Sequence, residues 1–220
     1  MNRMIWAAIG LITLTLCVSC SWWGQAVNKS QLSAAEYYAQ ARQYLERKDY
    51  VKAVNELKNF IRRFPESELV DKALLDLVKA HYENKEYPEA TYELKRLTRD
   101  YPESPLVEDA QYYQAMCYWK QSRSSQLDQS ETNSAIDEFN NYCNDFPQGK
   151  YLPEVKEHIK ECREKLAKKD YDTAKLYFKQ KDYAAAVIYC NTVINKYADT
   201  SWREKAEELL GLCEIRQKRI

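Results

Sequence analysis

The sequence predicts an all-α solenoid of about four to five helical hairpins, followed by a C-terminal capping helix. Two observations predict this fold class. The 220-residue chain has only 4 Gly and 6 Pro, and long segments lack both, as is typical of helical proteins. Residues 34–104 hold two copies of one pattern, in which Ala53 and Ala90 are 37 residues apart. A fixed period in this range is typical of stacked supersecondary units that bury their apolar faces against their neighbours.

Each copy has the residue spacing of a helical hairpin. With Ala34 as position 1, small Ala41 and Ala53 stand at positions 8 and 20, where small residues let two helices approach closely. Large apolar residues fill the intervening packing positions. Pro65 stands at position 32 and ends the second helix, because proline lacks an N–H and clashes with the preceding turn. This spacing resembles the tetratricopeptide repeat, a helix–turn–helix unit of about 34 residues.

The same register recurs along a predicted repeat domain at residues 33–220. The predicted units are repeats near 34–67, 71–104, 108–149 and 167–200, and a terminal helix at 201–217. The third repeat is longer between its two helices, where residues 122–133 are rich in Ser, Asp and Gln. Insertions in repeat proteins lie in surface loops, often on a binding face, so this segment is predicted to be such a loop.

The C-terminal part of the chain departs from the simple pattern. Leu152 to Gln180 contains no Pro or Gly after Pro153, which predicts either one long helix or two helices with a tight bend near Lys168. Ser201 followed three residues later by Glu204 predicts a capping box at the start of the last helix.

The N-terminus has the pattern of a targeting segment. Residues 4–18 are apolar and uncharged but too short to span a membrane comfortably. A small residue then precedes Cys20, as in the lipobox of bacterial lipoproteins. This pattern predicts a lipoprotein signal peptide at 1–19, acylation of Cys20 and a lipidated tether at 20–32, with an ordinary cleaved signal peptide or an uncleaved anchor as the alternatives. Ser21 in place of Asp favours the outer membrane under the enterobacterial sorting rule.

Several segments together resemble one family. They are the lipobox, the sequences FIRRFPES and RDYPESPLVEDAQYY, the loop that carries Asp128, and EKLAKKDYDTAKLYFKQKDYAAAV followed by NKYADT. The arrangement resembles the BamD family, the tetratricopeptide lipoproteins of the outer-membrane β-barrel assembly machinery. The resemblance implies a lipid-anchored, non-catalytic scaffold on the periplasmic face of the outer membrane.

The resemblance also implies partners. The family binds BamA, a barrel protein with periplasmic repeats, through its C-terminal half, and is proposed to hold unfolded outer-membrane protein precursors and to help deliver and insert them. The resemblance places a partner contact at Tyr189, where family members often carry Arg. Composition and periodicity alone leave an alternative, a periplasmic tetratricopeptide adaptor lipoprotein for cell-wall or division proteins.

No catalytic site, metal site or cofactor is predicted. The sequence has no His-Glu-x-x-His, no phosphate-binding glycine loop and no nucleophile elbow. His81 stands at packing position 11 and is predicted in the core, whereas His158 is predicted at the surface. The net charge is zero, so nothing predicts nucleic-acid binding. Five widely spaced cysteines are predicted to pack as small apolar residues, although an oxidising compartment would permit disulfides: Cys117, Cys143, Cys162, Cys190 and Cys213.

The predicted functional site is a groove. In tetratricopeptide arrays, the first helix of each unit lines the concave face through positions 2, 5, 9 and 12. Here these positions include Tyr38, Arg42, Lys72, Lys79, Tyr82, Tyr112, Met116 and Trp119. Aromatic rings offer a large contact area and cations bind carboxylates, so the groove suits an extended, aromatic-rich segment with a free C-terminus. The alternative is that these rings pack between neighbouring helices.

Overall fold

The computed structural model describes residues 32–218, which form nine α-helices and no strand. The helices are α1 (Ala34–Glu46), α2 (Tyr50–Arg63), α3 (Val70–Glu83), α4 (Tyr87–Asp100), α5 (Val107–Gln121), α6 (Ser130–Asp145), α7 (Leu152–Lys179), α8 (Tyr183–Lys196) and α9 (Arg203–Gln217). The all-α prediction is therefore confirmed. Cys20 and the predicted signal peptide lie outside the described residues. Within those residues, no helix has the length and apolar character needed to cross a membrane.

The helices stack as a solenoid. Each helix packs against the next along the chain, and each odd-numbered helix also contacts the following odd-numbered helix. The result is four hairpins, α1–α2, α3–α4, α5–α6 and α7–α8, followed by α9. The odd-numbered helices thus form one continuous layer, which we call the odd-numbered layer. It contains all the positions that the repeat register assigns to the groove.

The repeat register explains how the hairpins pack. The alanines at position 20 of every hairpin and at position 8 of all but the second are at most 1 % exposed, so that the paired helices lie close together. They are Ala41, Ala53, Ala90, Ala115, Ala135, Ala174 and Ala186. Large side chains fill the space beside them, including the fully buried Leu57, Leu94 and Phe139. Removing a side chain of this kind from a packed core typically costs about 2–5 kcal/mol.

The turns within three hairpins share one backbone feature. Lys48, Lys85 and Lys181 adopt positive φ angles of 60°, 63° and 65°, in the left-handed region that reverses the chain between helices. An acidic residue follows each lysine. The carboxylates of Asp49 and Asp182 accept hydrogen bonds from backbone N–H groups three residues ahead, and so cap the second helix.

Helix α7 is a single helix of 28 residues that runs through Lys168 without a break, which decides between the two alternatives for this segment. Its first half contributes Val155 and Cys162 to a cluster with residues of α5 and α6. Its second half contributes Leu166 and Ala174 to another cluster with residues of α8 and α9. One continuous helix therefore belongs to two adjacent hydrophobic clusters.

The predicted capping box at Ser201 is wrong. Helix α9 begins at Arg203, after Trp202, and has no side-chain cap. The Ser201 hydroxyl and its backbone N–H instead donate to the two carboxylate oxygens of Glu164 on α7, each at 2.8 Å. Ser201 therefore bonds to Glu164, a residue distant in sequence, instead of capping the helix as the local pattern predicts. Helix α6 also begins at Ser130, so the loop of the third repeat is shorter than predicted.

The two histidines lie in different surroundings. His81 is 2 % exposed, as predicted for a core residue, and its Nδ1 is 2.6 Å from Glu86 Oε2. His158 was predicted at the surface, but its ring centroid lies 4.2 Å from that of Trp119 and 5.5 Å from that of Phe139. Helix α7 packs against α5 and α6 on this side, and the repeat register does not extend over its first half.

All five cysteines of the described residues are free thiols. Cys143 is partly buried and the other four are buried, in the packing role that the sequence predicts. Burial raises the pKa of the Cys117 thiol to about 12 and that of Cys162 to about 11. Burial, together with the neighbouring Cys213, raises the pKa of Cys190 to about 12.

Candidate functional site

The eight predicted groove residues lie on three neighbouring helices of the odd-numbered layer. Helix α1 carries two of them, and α3 and α5 carry three each. Their side chains differ in exposure. Tyr112 and Met116 are 8 % and 7 % exposed, Tyr82 and Trp119 are partly buried, and Lys72 is exposed. Three others share one partner.

Asp76 of α3 is that partner. Tyr38 Oη donates to Asp76 Oδ2 over 2.7 Å, and Arg42 Nε lies 3.3 Å from the same oxygen. Lys79 Nζ lies 3.9 Å from Asp76 Oδ1. Asp76 is 7 % exposed. Through these contacts its carboxylate joins α1 to α3 and holds two cations in position. Burial and the hydrogen bond to Asp76 raise the pKa of Tyr38 well above its usual value.

A second carboxylate, Asp109, joins α5 to the start of α7. Its Oδ1 accepts a hydrogen bond from Tyr151 Oη at 2.6 Å, and its Oδ2 accepts one from Lys150 Nζ at 2.8 Å. Burial acts to raise the pKa of Asp109, but these two hydrogen bonds and the lysine charge outweigh it and lower the pKa. The charged form of Asp109 is therefore stabilised in the folded chain.

A row of tyrosine rings links α3 and α4 to α5 and to the residue before α7. The centroid of Tyr82 lies 5.7 Å from that of Tyr87 and 5.4 Å from that of Tyr113. Tyr113 is 5.6 Å from Tyr112, which stacks on Tyr151 at 3.9 Å. Burial is the largest cause of the raised pKa of Tyr82, and it raises the pKa of Tyr113 to about 12. The row is therefore uncharged at neutral pH.

Trp119 lies at one end of the candidate site. Lys120 Nζ is 4.5 Å from its ring centroid, within the range of a cation–π contact. Tyr112, by contrast, packs in the core, and its hydroxyl donates to Glu154 Oε1 at 2.7 Å. Tyr82 and Trp119 stay partly exposed, whereas Tyr112 and Met116 do not.

Sequence reasoning missed four residues of this site, namely Asp76, Asp109, Tyr113 and Tyr151. Asp109 stands at position 2 of the third unit, so the register itself could have identified it. Asp76, Tyr113 and Tyr151 stand at positions that the register does not assign to the groove. Only the packing of α1 on α3, and of α5 on α7, brings them into the site.

Two other predicted site residues lie elsewhere. Tyr189 is on α8, where its ring stacks on Tyr177 at a centroid distance of 5.5 Å, and its neighbour Ile188 is 65 % exposed. The predicted lipidation site, Cys20, lies outside the described residues. Among residues 32–218, no group of three or more His, Cys, Asp or Glu side chains could hold a metal ion.

Substitution of Asp109 by asparagine is expected to lower the free energy of unfolding at pH 7 by about 1–2 kcal/mol, because two hydrogen bonds to a charged acceptor are weakened. The pKa of Asp109 is lowered on folding, so its contribution is present above its usual value of 3.8 and is lost as the pH falls through the folded-state pKa. Urea unfolding of the wild type and the variant between pH 7 and pH 2.5 measures this difference.

The control for this experiment is Asp100→Asn. Asp100 also has a lowered pKa, but its partner Arg99 is exposed, so little change is expected at any pH. A difference between wild type and Asp109→Asn that stays constant down to pH 2.5 would contradict the role given to Asp109.

The hairpin order, the repeat register and the odd-numbered layer define a helical-repeat protein of the tetratricopeptide type. Residues 30–218 match the family model YfiO, described as outer membrane lipoprotein. The match covers most of the chain, and the chain belongs to the YfiO family of outer membrane lipoproteins. The resemblance to the BamD family is thereby confirmed, and the chain is associated with the outer membrane.

Two relatives carry the same name, outer membrane protein assembly factor BamD. The chain is 25 % identical to the protein of Neisseria gonorrhoeae over 224 residues, which cover 95 % of this chain and 83 % of the relative. It is 24 % identical to the protein of Neisseria meningitidis serogroup B over the same shares of both chains.

Solved structures of helical-repeat proteins are also similar. A tetratricopeptide repeat protein from Parabacteroides merdae gives a TM-score of 0.43 at 14 % identity, over 82 % of this chain. This chain spans 60 % of the length of that structure. A putative kinesin light chain from Podospora anserina, with nearly identical tetratricopeptide-like repeats, gives 0.41 at 13 % identity, over 84 % of this chain and 86 % of the other.

Proposed function

We propose that this chain is an assembly factor for outer-membrane β-barrel proteins, a non-catalytic scaffold that binds a BamA-like barrel protein and helps to deliver and insert unfolded precursors. The observation that carries the proposal is the similarity to two BamD assembly factors over 95 % of the chain. The solenoid agrees with it, because stacked hairpins expose extended surfaces that suit binding of polypeptides.

We propose that Cys20 carries the acyl chains that hold the scaffold at the periplasmic face of the outer membrane. The lipobox pattern and the family's description as outer membrane lipoproteins support this. Each CH₂ group of an acyl chain contributes about 0.8 kcal/mol to the free energy of membrane binding, so several acyl chains together give stable attachment.

The odd-numbered layer is the proposed binding site for precursors. An extended segment with an aromatic residue near its C-terminus would place that ring against Tyr82 and Trp119, where aromatic pairs contribute about 0.5–1.5 kcal/mol beyond area burial. Its terminal carboxylate would bind the cations, of which Lys72 is exposed and Arg42 and Lys79 are held near Asp76. The hydrogen-bonded carboxylates keep the cations in place before the ligand arrives.

The C-terminal half is the proposed surface for the BamA-like partner. Tyr189 and the exposed Ile188 lie together on α8, so the contact at this place would be apolar and aromatic. Such residues are typical of the buried centres of protein interfaces.

A crosslinked pull-down from solubilised envelope, read by mass spectrometry, tests the proposed function. We expect a large barrel protein with periplasmic repeats as the main partner when Cys20 is intact, and loss of the chain from the membrane fraction in Cys20→Ala. Recovery of cell-wall or division enzymes without any barrel protein would contradict the proposal and favour a periplasmic adaptor.

The double substitution Tyr82→Ala with Trp119→Ala is expected to weaken binding of a peptide that ends in a free aromatic C-terminus by tenfold or more. Both rings pack on the core at one side but are only partly buried, so a ligand can still contact them, unlike the buried Tyr112 and Met116. Fluorescence anisotropy with a labelled precursor C-terminal peptide measures the dissociation constant, and circular dichroism checks that helicity is unchanged.

Two controls sharpen this measurement. Val51→Ala removes an apolar side chain of α2 that is 60 % exposed and lies outside the odd-numbered layer, so it should leave the dissociation constant unchanged. The same peptide with an amidated C-terminus should bind more weakly to the wild type, because it lacks the carboxylate. Unchanged binding in the double variant would remove the groove from the proposed function.

A further inference from the structure

A second open site lies on α2 and α4, away from the odd-numbered layer. It is a groove with a volume of about 570 Å³, within the range of ligand-binding pockets. Its wall includes apolar, aromatic and charged side chains. They are Lys58, Ile61, Arg62, Tyr92, Glu93 and Arg96.

Glu93 lines this groove, and one of its carboxylate oxygens has no hydrogen bond. The residue is 6 % exposed, and its Oε2 receives no hydrogen bond from any atom of the described residues. The nearest cation is Arg96, whose Nη1 lies 3.7 Å from Oε2, beyond hydrogen-bond distance. Buried polar atoms without a hydrogen bond are rare and costly, so this oxygen requires an explanation.

Comparison of the repeats explains why this oxygen has no hydrogen bond. Glu93 stands at position 23 of its unit, and Glu56 and Glu138 stand at the same position in the first and third units. Glu56 accepts a hydrogen bond from Tyr37 at 2.9 Å, and Glu138 accepts one from Gln114 at 2.8 Å. Both donors come from the first helix of the same hairpin, at positions 4 and 7.

The second unit has no such donor. Leu74 and Leu77 occupy its positions 4 and 7, and both are fully buried. Glu93 therefore keeps the carboxylate of the repeat pattern without a donor from the first helix of its hairpin. Arg96, on the same helix as Glu93, comes only within 3.7 Å, and Glu93 lines the groove, so a ligand can supply the hydrogen bond.

The charges around the groove define the ligand further. Lys58 and Arg62 are exposed, and Arg62 donates a hydrogen bond to the side-chain oxygen of Asn59 at 2.8 Å. Arg96 also lines the groove, but its guanidinium already lies near Glu93 and 3.6 Å from Asp100 Oδ2, which leaves Lys58 and Arg62 as the exposed cations. Tyr92, which is 69 % exposed, and the buried Ile61 provide an apolar surface beside them.

We infer that this groove binds an extended, acidic segment of a partner protein, with a backbone N–H donating to Glu93 and an acidic side chain bound by Lys58 and Arg62. A large apolar side chain of the same segment packs on Tyr92 and Ile61. The inference goes beyond the proposed function, because this site lies on the even-numbered helices and takes a charged segment rather than an aromatic C-terminus.

The experiment is an anisotropy titration with fluorescein-labelled, C-terminally amidated octapeptides that carry one Asp and one Phe, one to four residues apart, on a Gly/Ser background. We expect the peptide with at least one of these spacings to bind, and the matched peptide with Lys in place of Asp not to bind. Failure of every spacing to bind at millimolar concentration, or equal binding of acidic and basic peptides, overturns the inference.

The repeat provides matched variants. Lys58→Ala with Arg62→Ala should weaken binding of the acidic peptide by tenfold or more. Lys95→Ala with Arg99→Ala removes the same two repeat positions from the second unit, which is followed by the third unit, where Glu138 already has its donor. This pair should change binding by less than twofold. Equal weakening by both pairs would show a general effect of charge and overturn the inference.

Glu93→Gln distinguishes a site in which the ligand hydrogen-bonds to Glu93 from a basic patch that only attracts negative charge. A basic patch would bind the acidic peptide more tightly once the carboxylate is removed. A ligand N–H that donates to Glu93 predicts the opposite, a loss of about three- to tenfold, because a neutral acceptor forms the weaker bond. Tighter binding therefore overturns the inference. Two further results would overturn the inference. One is a concentration-dependent dimer that Lys58→Ala with Arg62→Ala abolishes, and the other is binding to phosphatidylglycerol vesicles that the same variant abolishes.

Discussion

Replacement of Gly149 by alanine is expected to lower the free energy of unfolding by about 2–4 kcal/mol. The new Cβ would overlap Tyr142 Oη and would lie 2.9 Å from both Glu108 Oε1 and Phe146 Cβ. Tyr142 cannot move away, because it is fully buried, donates to Glu108 at 2.7 Å and accepts from the N–H of Tyr151 at 3.0 Å. The turn between α6 and α7 therefore requires glycine.

Gly211→Ala is the matched control for this substitution. Gly211 lies in helix α9, and a Cβ there would meet nothing within 4 Å. Alanine is the better helix former by about 1 kcal/mol, so this variant should be more stable than the wild type. Urea unfolding followed by circular dichroism gives both values. Equal stability of the two variants would contradict the close packing described for Tyr142.

Lys168→Pro is expected to cost at least about 3 kcal/mol, because proline removes a backbone hydrogen bond from the middle of α7 and clashes with the preceding turn. Since α7 belongs to two hydrophobic clusters, the break should also separate their unfolding. Hydrogen–deuterium exchange should then show α8 and α9 opening independently of α5 and α6. In the wild type, we expect the two regions to be protected together.

Lys168→Ala separates the backbone effect from the loss of side-chain contacts. The lysine bonds Asp172 at 2.6 Å and lies 5.3 Å from the ring of Trp202, but the ion pair is partly exposed. Its loss should cost less than about 1 kcal/mol. If the alanine and proline variants unfolded alike, the continuity of α7 would be irrelevant to the coupling.

The fold could be predicted from the sequence because its signals are local and repeated. A small residue at position 20 recurs in all four hairpins, alanine at position 8 in three of them and proline at position 32 in the first three, and the burial of Ala53 and Ala90 agrees with this pattern. A prediction from local sequence is wrong where a residue distant in sequence competes for the same hydrogen-bonding group. Ser201 has the pattern of a helix cap, yet Glu164, 37 residues earlier, is its partner.

The candidate site was less accessible to sequence reasoning. The register identifies which helix face a residue occupies, but not whether its side chain is already used in packing. Tyr112 and Met116 share the register of Tyr82 and Trp119, yet they are buried in the cluster of α5 to α7. Asp76 joins Tyr38 to Arg42 and Lys79 only because α1 packs on α3, a contact between residues 38 positions apart.

The buried thiols give this chain a set of internal reporters for local unfolding. One cysteine lies in each of the five helices from α5 to α9. With a pKa of about 12, roughly one Cys117 or Cys190 side chain in 10⁵ is a thiolate at pH 7, so alkylation requires the surrounding helix to open. The labelling rates of the five thiols would therefore map the opening free energy along the C-terminal half without any introduced probe.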